Sequence, residues 1–245
     1  MKNMVIEVRG LSKSYDTFTA VDNISFEAYE NEILGILGPN GAGKTTIIHM
    51  LLNIIIPTSG SIKMFGLELQ KNREKILSSV NFSSSYVSMP YSLTVMENLK
   101  IFAMLYGMRS YKEKIEELLD IFEITDIKDR LTKTLSSGQL TRLFLAKALI
   151  NDPRIVFLDE PTASLDPDIA DKIRKFLKRL KKSTACTIVY TSHNMREIEE
   201  ISDRIIFLNR GKIEVAGRPK EVVSFFNEKN LEDLFIRLAR GNIER

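Results

Sequence analysis

Eight residues, Gly38-Pro39-Asn40-Gly41-Ala42-Gly43-Lys44-Thr45, constrain this chain more than any others. They match the GxxxxGK[ST] pattern, whose glycines let successive backbone N–H groups turn inward around phosphates while the following helix adds its positive dipole end. Such a loop needs a buried strand before it and a helix after it. Ile33 to Leu37 is a short, almost wholly apolar run, and a helical segment follows from Gly43 to about Ile55, stopped by Pro57 and Thr58-Ser59-Gly60. Lys44 is expected to reach the β- and γ-phosphates of a nucleotide, the Thr45 hydroxyl to hold magnesium, and Thr46 beside it to belong to the nucleotide-binding set. The alternative is a glycine-rich turn with no ligand, and the flanking strand and helix argue against it. His49 falls among Ile47, Ile48, Met50 and Leu51, so it reads as a packed helix residue rather than a ligand.

The rest of the chain alternates. Ile6 and Val8, and Ile24, Phe26 and Ala28, alternate with polar residues as half-buried strands do. Ser61 to Phe65 and Val80 to Ser83 read as strands. A helical block follows: Thr94 with Glu97 forms a capping box opening a helix to about Tyr106, Tyr111 to Phe122 is amphipathic, and a third helix starts near Ser136. Strand and helix then alternate again: Ile155 to Leu158, Asp168 to Leu180, Thr187 to Thr191, Asn194 to Ile201. Ile205 to Leu208 and Lys212 to Val215 flank Asn209-Arg210-Gly211 as a hairpin. Pro219 opens a helix, and an amphipathic tail runs from Leu231 to Leu238. This order predicts an α/β fold with a largely parallel sheet covered on both faces and an inserted helical subdomain. The expected division is a core at 1–85 and 153–218, helices at 86–152 and a tail at 219–245.

Composition narrows the partners. A net charge of +3 over 245 residues gives no argument for nucleic acid. The basic residues from Lys172 to Lys182 are interrupted at helical spacing, as on a solvated helix face. The single cysteine, Cys186, excludes an internal disulfide, fits a reducing compartment, and in the run Ala185 to Tyr190 reads as a buried strand thiol. The N-terminus lacks the apolar core of a signal peptide, and no apolar stretch approaches the ~20 residues of a membrane span. The expectation is a cytoplasmic chain whose membrane role, if any, comes through a partner.

Two further motifs carry chemistry. Ile155 to Leu158 ends in Asp159 and Glu160. A carboxylate at a strand end beside a phosphate loop can hold magnesium through water, as expected of Asp159, and the neighbouring Glu160 can polarise an attacking water. Leu135-Ser136-Ser137-Gly138-Gln139 opens the third helix of the block. Read locally it is a capping box of Ser136 and Gln139; read functionally, it offers a hydroxyl and a glycine backbone to a γ-phosphate.

With these motifs together, the sequence resembles the ATP-binding-cassette (ABC) ATPase family over nearly its full length. LSSGQ is similar to that family's LSGGQ signature, with Ser137 in place of the first glycine. The order Lys44, Gln139, Asp159, Asp166, His193 follows the family's phosphate loop, signature, LDE, SLD and histidine. The resemblance implies a P-loop NTPase core with an N-terminal antiparallel β subdomain and the helical insertion. It implies ATP and Mg2+ as ligands, and a dimer, with itself or with a paired ABC ATPase subunit, in which Ser136 and Gly138 act on the other subunit's ATP. Ser164-Leu165-Asp166 resembles the D-loop at the dimer interface, although Asp166 before Pro167 is also a good helix start. His193 resembles the switch histidine at the γ-phosphate, its loop followed by a capping pair of Asn194 and Glu197. Tyr15 corresponds to the aromatic that stacks on adenine; an exposed loop tyrosine is the alternative.

One family feature is missing. No glutamine lies between Gln70 and Gln139, and Ser85 takes the place of the glutamine that helps coordinate magnesium. A serine oxygen can ligate but reaches a few Å less far. The resemblance implies a transporter motor on separate transmembrane permease subunits, peripheral to the inner face of the membrane, with Tyr86 to Asn98 as the docking segment. The tail Asn230 to Phe235 and Thr191 to Met195 look like bacterial exporter cassettes. Soluble relatives with two cassettes or a long coiled coil fit less well, and a module that only senses ATP is favoured by the missing glutamine alone.

Overall fold

The computed structural model describes residues 3–84 and 89–239. Contacts divide the chain into two compact units, Met1–Leu77 with Thr187–Arg245, and Ser78–Cys186. The first unit opens with two twelve-residue strands, β1 (Met4–Tyr15) and β2 (Phe18–Tyr29), paired antiparallel from Met4↔Tyr29 to Tyr15↔Phe18. They outrun the short segments expected around Ile6 and Ile24, because their far ends, Ser12 to Tyr15 and Phe18 to Thr19, lack alternating burial and are held by the ladder between them.

β3 (Ile33–Leu37) is buried at every position, and burying each of its aliphatic side chains contributes roughly 1.5–3 kcal/mol. It leads through the phosphate loop into α1 (Lys44–Leu51). That helix stops short of the expected Ile55: Asn53 turns left-handed at φ 55°, and the N–H groups of Ile54 and Ile55 both return to the His49 carbonyl. β4 (Ser59–Met64) and β5 (Leu67–Glu68) complete an antiparallel sheet in the order β2-β1-β4-β5, followed by a short helix, α2 (Arg73–Leu77), which the sequence pattern did not reveal.

The second unit begins with β6 (Val80–Ser84) and runs through α3 (Val95–Leu105), α4 (Lys112–Ile121) and α5 (Ser137–Ala148). It continues into β7 (Ile155–Asp159) and α6 (Pro167–Ser183). β6 and β7 pair parallel from Val80↔Ile155 to Ser84↔Asp159. The Thr94 box forms in both directions: Glu97 N donates to Thr94 Oγ1 at 3.2 Å, and Thr94 N donates to Glu97 Oε2 at 2.8 Å. On α4, Ile115, Leu118 and Leu119 are buried, and Phe122 meets Phe176 of α6 edge-on at 5.5 Å. The basic residues of α6 lie outward, where Lys172 pairs with Glu123 and Asp168.

The chain returns to the first unit as β8 (Thr187–Thr191), α7 (Met195–Ile201), β9 (Arg204–Asn209), β10 (Lys212–Gly217), α8 (Pro219–Phe225) and α9 (Leu231–Ala239). β3 runs parallel between β8 and β9, and β10 closes antiparallel on β9 as the expected hairpin. A buried Glu32 at the start of β3 accepts from Arg204 at 3.1 Å, which fixes the entry of β9. Cys186 is buried but lies one residue before β8 rather than in it. This is the expected α/β fold, with an N-terminal antiparallel sheet, parallel strands leading to the phosphate loop, and a helical run between β6 and β7. Among the described residues no helix is long and apolar enough to cross a membrane.

Candidate active site

In the first unit the phosphate loop is built around Gly43, the N-cap of α1, at φ 104° and ψ 2°. A Cβ there would lie 2.6 Å from the Ala20 carbonyl oxygen, so only glycine fits this turn. The first turn of α1 contains no acid and receives no side-chain cap. By contrast α3 and α5 are both capped by a hydroxyl. The unclaimed helix end and the dipole behind it suit an anion. Lys44 is buried to 9% exposure and folds back into the loop, its Nζ donating to Gly38 O at 2.7 Å and Pro39 O at 3.2 Å. Asn40, Gly41 and Thr45 are exposed, Pro39 and Thr46 half-buried, and Ala42 is buried beneath them. A helix end without a cap, glycine backbone and a lysine inside the loop fit a polyphosphate.

His193 is exposed directly after β8. Its loop is held from below. Glu197, on α7, accepts Tyr190 Oη on Oε1 at 2.7 Å and Ser192 Oγ on Oε2 at 2.8 Å, while Asn194 N donates to Ser192 Oγ at 3.1 Å. The capping pair expected of Asn194 and Glu197 therefore forms in one direction only: Asn194 Oδ1 accepts from Glu197 N, and the Glu197 carboxylate turns inward to β8. Sequence reading missed this use of Glu197, since Tyr190 and Ser192 become its donors only through the fold. Tyr15 is exposed at the β1–β2 turn, with Lys13 Nζ 4.9 Å from its ring centre. Phe18 opposite it is more exposed still and adds an aromatic surface that sequence reading did not single out. His49 is half-buried on α1, as a helix-packing residue would be.

The second unit carries the remaining residues. Asp159 is buried at the C-terminal end of β7, opposite Ser84. Glu160 follows, half-buried, in a left-handed conformation at φ 52°, which costs a non-glycine residue of order 1 kcal/mol. Ser136 caps α5 reciprocally with Gln139: Gln139 N donates to Ser136 Oγ at 3.2 Å, and Ser136 N donates to Gln139 Oε1 at 3.0 Å. Gly138 passes so close to the next loop that a Cβ would sit 3.2 Å from Ser164 O, which brings the LSSGQ and SLD segments together. Ser137, in the place of the family's first glycine, is exposed and meets no such restriction. Asp166 is the N-cap position of α6, with Pro167 after it, but its carboxylate makes no capping hydrogen bond; the proline presets the helix start without it. Ser85 lies outside the described residues.

No group of three or more His, Cys, Asp or Glu side chains is placed to hold a metal among the described residues. Thr45 of the first unit and Asp159 of the second each carry an oxygen donor of the hard kind that magnesium takes.

Against known proteins, the model of the ABC transporter family matches residues 21–163. The sulfate/thiosulfate import ATP-binding protein of Pseudomonas syringae pv. tomato is 34% identical over 232 residues, covering 89% of this chain and 69% of that protein. The Nod factor export ATP-binding protein I of Rhizobium sp. is 35% identical over 248 residues, covering 99% of this chain and 79% of that protein. Among solved structures, a dimeric ATP-binding cassette in a post-hydrolysis state, bound to ADP and Pi, superposes with a TM-score of 0.80 at 25% identity, covering 87% of this chain and 98% of that one. The chain belongs to the ABC transporter family: it is an ATP-binding subunit of an ABC transporter, and an ATPase. One relative is named for import and the other for export, so kinship does not decide the direction expected from the sequence.

Proposed function

We propose that this subunit drives export, working as one of two ATPase subunits, identical or paired, seated on separate permeases at the inner face of the membrane. The observation that carries the nucleotide chemistry is the α1 N-terminus, left without a side-chain cap and fronted by a lysine folded into a glycine loop. The backbone from Gly38 to Gly43 cradles the phosphates of ATP, and Lys44 neutralises the β- and γ-oxygens. Thr45 and Asp159 are the residues that would hold magnesium, which would supply charge neutralisation. Tyr15 stacks on the base. Glu160 takes a proton from the attacking water, and His193 contacts the γ-phosphate. Ser136, Gly138 and Gln139 close over the ATP of the paired subunit, with Asp166 beside that contact. This division of labour goes with a nucleotide core at 1–85 and 153–218, helices at 86–152 and a tail at 219–245.

The permease face is supported by an exposed apolar set on and around α3. Tyr91 is 52% exposed, Ile101 40%, Met104 64% and Leu105 73%, more bare apolar surface than a solvated helix needs. Export is supported by the tail pattern and by the exporter relative that aligns over 99% of this chain.

Glu160→Gln tests the ATPase assignments. Steady-state hydrolysis should fall by about two orders of magnitude or more, and an ATP-bound dimer should accumulate on gel filtration. Unchanged turnover in the variant removes Glu160 as the base. Direction is read separately, from ATP-driven uptake into inverted vesicles that carry the permease; uptake only into right-side-out vesicles overturns export.

A further inference from the structure

Lys147 has no place in the roles above, yet it is a buried charge in the second unit. It sits in the last turn of α5, is 6% exposed, and burial alone pulls its ammonium below its ordinary range. Nζ donates to the Phe82 carbonyl of β6 at 2.9 Å and lies 5.5 Å from the ring centre of Phe102 on α3. Among the described residues no carboxylate pairs with it. A methionine would fill similar space without losing hydration. What the ammonium adds is a directed, charge-assisted bond in a low-dielectric interior.

That bond joins two elements that matter. Phe82 faces Phe157 in the parallel β6–β7 pair, and two residues on Ser84 faces Asp159. The other end of α5, roughly 15 Å away along the helix, carries Ser136 and Gly138. A neighbouring contact repeats the tie: Asn81 Nδ2 donates to Ala148 O at 2.8 Å and to Asn151 Oδ1 at 2.6 Å, so adjacent residues of β6 hold adjacent residues of α5. Phe102 adds α3, whose exposed apolar residues Ile101 and Met104 lie on either side of it in sequence.

We propose that Lys147 is a positioning residue for hydrolysis: through the Phe82 carbonyl it locks the signature helix to the strand pair that carries Asp159 and Glu160. Motion of either element is then transmitted to the other instead of being absorbed between them. The proposal rests on the assignment of Glu160 as the base.

Full-length chains carrying Lys147→Met and Lys147→Arg test it by ATPase kinetics. A shift of about 1 Å at the carboxylates costs up to roughly a hundredfold in rate, so Lys147→Met should lower kcat about ten- to a hundredfold. The KM for ATP should stay within about twofold, because the phosphate loop is untouched. Lys147→Arg, which keeps a charged donor for Phe82, should hold kcat within about threefold of the parent. Should Lys147→Met fail to fold, Lys147→Gln, a neutral donor, should give an intermediate kcat with the same KM. A parent-like kcat in the methionine variant, or equal loss in arginine and methionine variants, overturns the proposal while leaving the ATPase assignment standing. A parent chain that does not hydrolyse ATP, or a Glu160→Gln variant that turns over normally, removes the assignment and the proposal together.

Discussion

Tyr190 and Glu197 meet under the His193 loop: the phenol donates to Oε1 at 2.7 Å, with Tyr190 fully buried and Glu197 5% exposed. The second carboxylate oxygen takes Ser192 Oγ at 2.8 Å, so one side chain of α7 collects two donors from the end of β8 and its loop. Removing it leaves both hydroxyls short of their acceptor in the interior. Glu197→Ala should destabilise the chain by about 2–4 kcal/mol, against about 1 kcal/mol for Tyr190→Phe, which removes one bond and leaves a charge that Ser192 still serves. Urea denaturation measures both. If the cluster also fixes His193, the kcat for ATP falls in Glu197→Ala and is largely retained in Tyr190→Phe; equal stability in all three chains removes the cluster from the account.

Gly43 sets the phosphate loop by its backbone. At φ 104°, with the Ala20 carbonyl 2.6 Å from any added Cβ, an alanine must either displace β2 or unwind the first turn of α1. Gly43→Ala should therefore weaken ATP binding by about a hundredfold or more, and saturating ATP should no longer raise the melting temperature. Titration calorimetry and thermal denaturation with and without ATP decide it. Affinity within a few-fold of the parent would mean the loop tolerates another conformation.

What the sequence made legible follows from the range of the interactions involved. The Thr94–Glu97 and Ser136–Gln139 boxes were readable because cap and partner are three residues apart and satisfy each other. The phosphate loop was readable because it demands glycine, lysine and hydroxyl at fixed spacing. Glu197 was read only in part for the same local reason: an acid three residues after Asn194 suggests a cap, which its N–H makes, while only the packing of α7 on the parallel strands brings its carboxylate to Tyr190. The ends of β1 and β2 carry no burial pattern, so their length depends on cross-strand pairing that the sequence does not print. Lys147, surrounded by Leu145, Ala146, Ala148 and Leu149, looks like the polar face of a helix until Phe82 and Phe102, each more than forty residues away in sequence, close over it.

The one cysteine should be chemically quiet. Burial pushes the Cys186 thiol up to about 12, with the charge of Asp152 acting in the same direction. At pH 8 the thiolate fraction is then about a thousandfold below that of an ordinary thiol. Iodoacetamide should leave the native chain unmodified over an hour and label it fully in denaturant, as read by intact-mass spectrometry. Rapid labelling of the folded chain would place Cys186 in an open environment.

Lys147 also predicts a pH dependence that isolates the cost of its burial. Desolvation lowers its ammonium from the ordinary 10.5 to about 8 in the folded chain. Between pH 8 and 10.5 the unfolded chain therefore holds the extra proton, and folding stability gains with rising pH. Below pH 8 the lysine is charged in both states, and the full penalty, roughly 3 kcal/mol, weighs on the fold. Lys147→Met has no such proton. The methionine variant should be the more stable chain at pH 7, by less than that penalty because the Phe82 hydrogen bond is lost with the ammonium. Its advantage should shrink as pH rises from 8 towards 10.5, and comparing the two chains at each pH cancels every other titrating group. Urea midpoints at half-unit intervals give the difference directly. A gap that stays constant from pH 7 to 10.5 would show that the ammonium is hydrated in the folded chain.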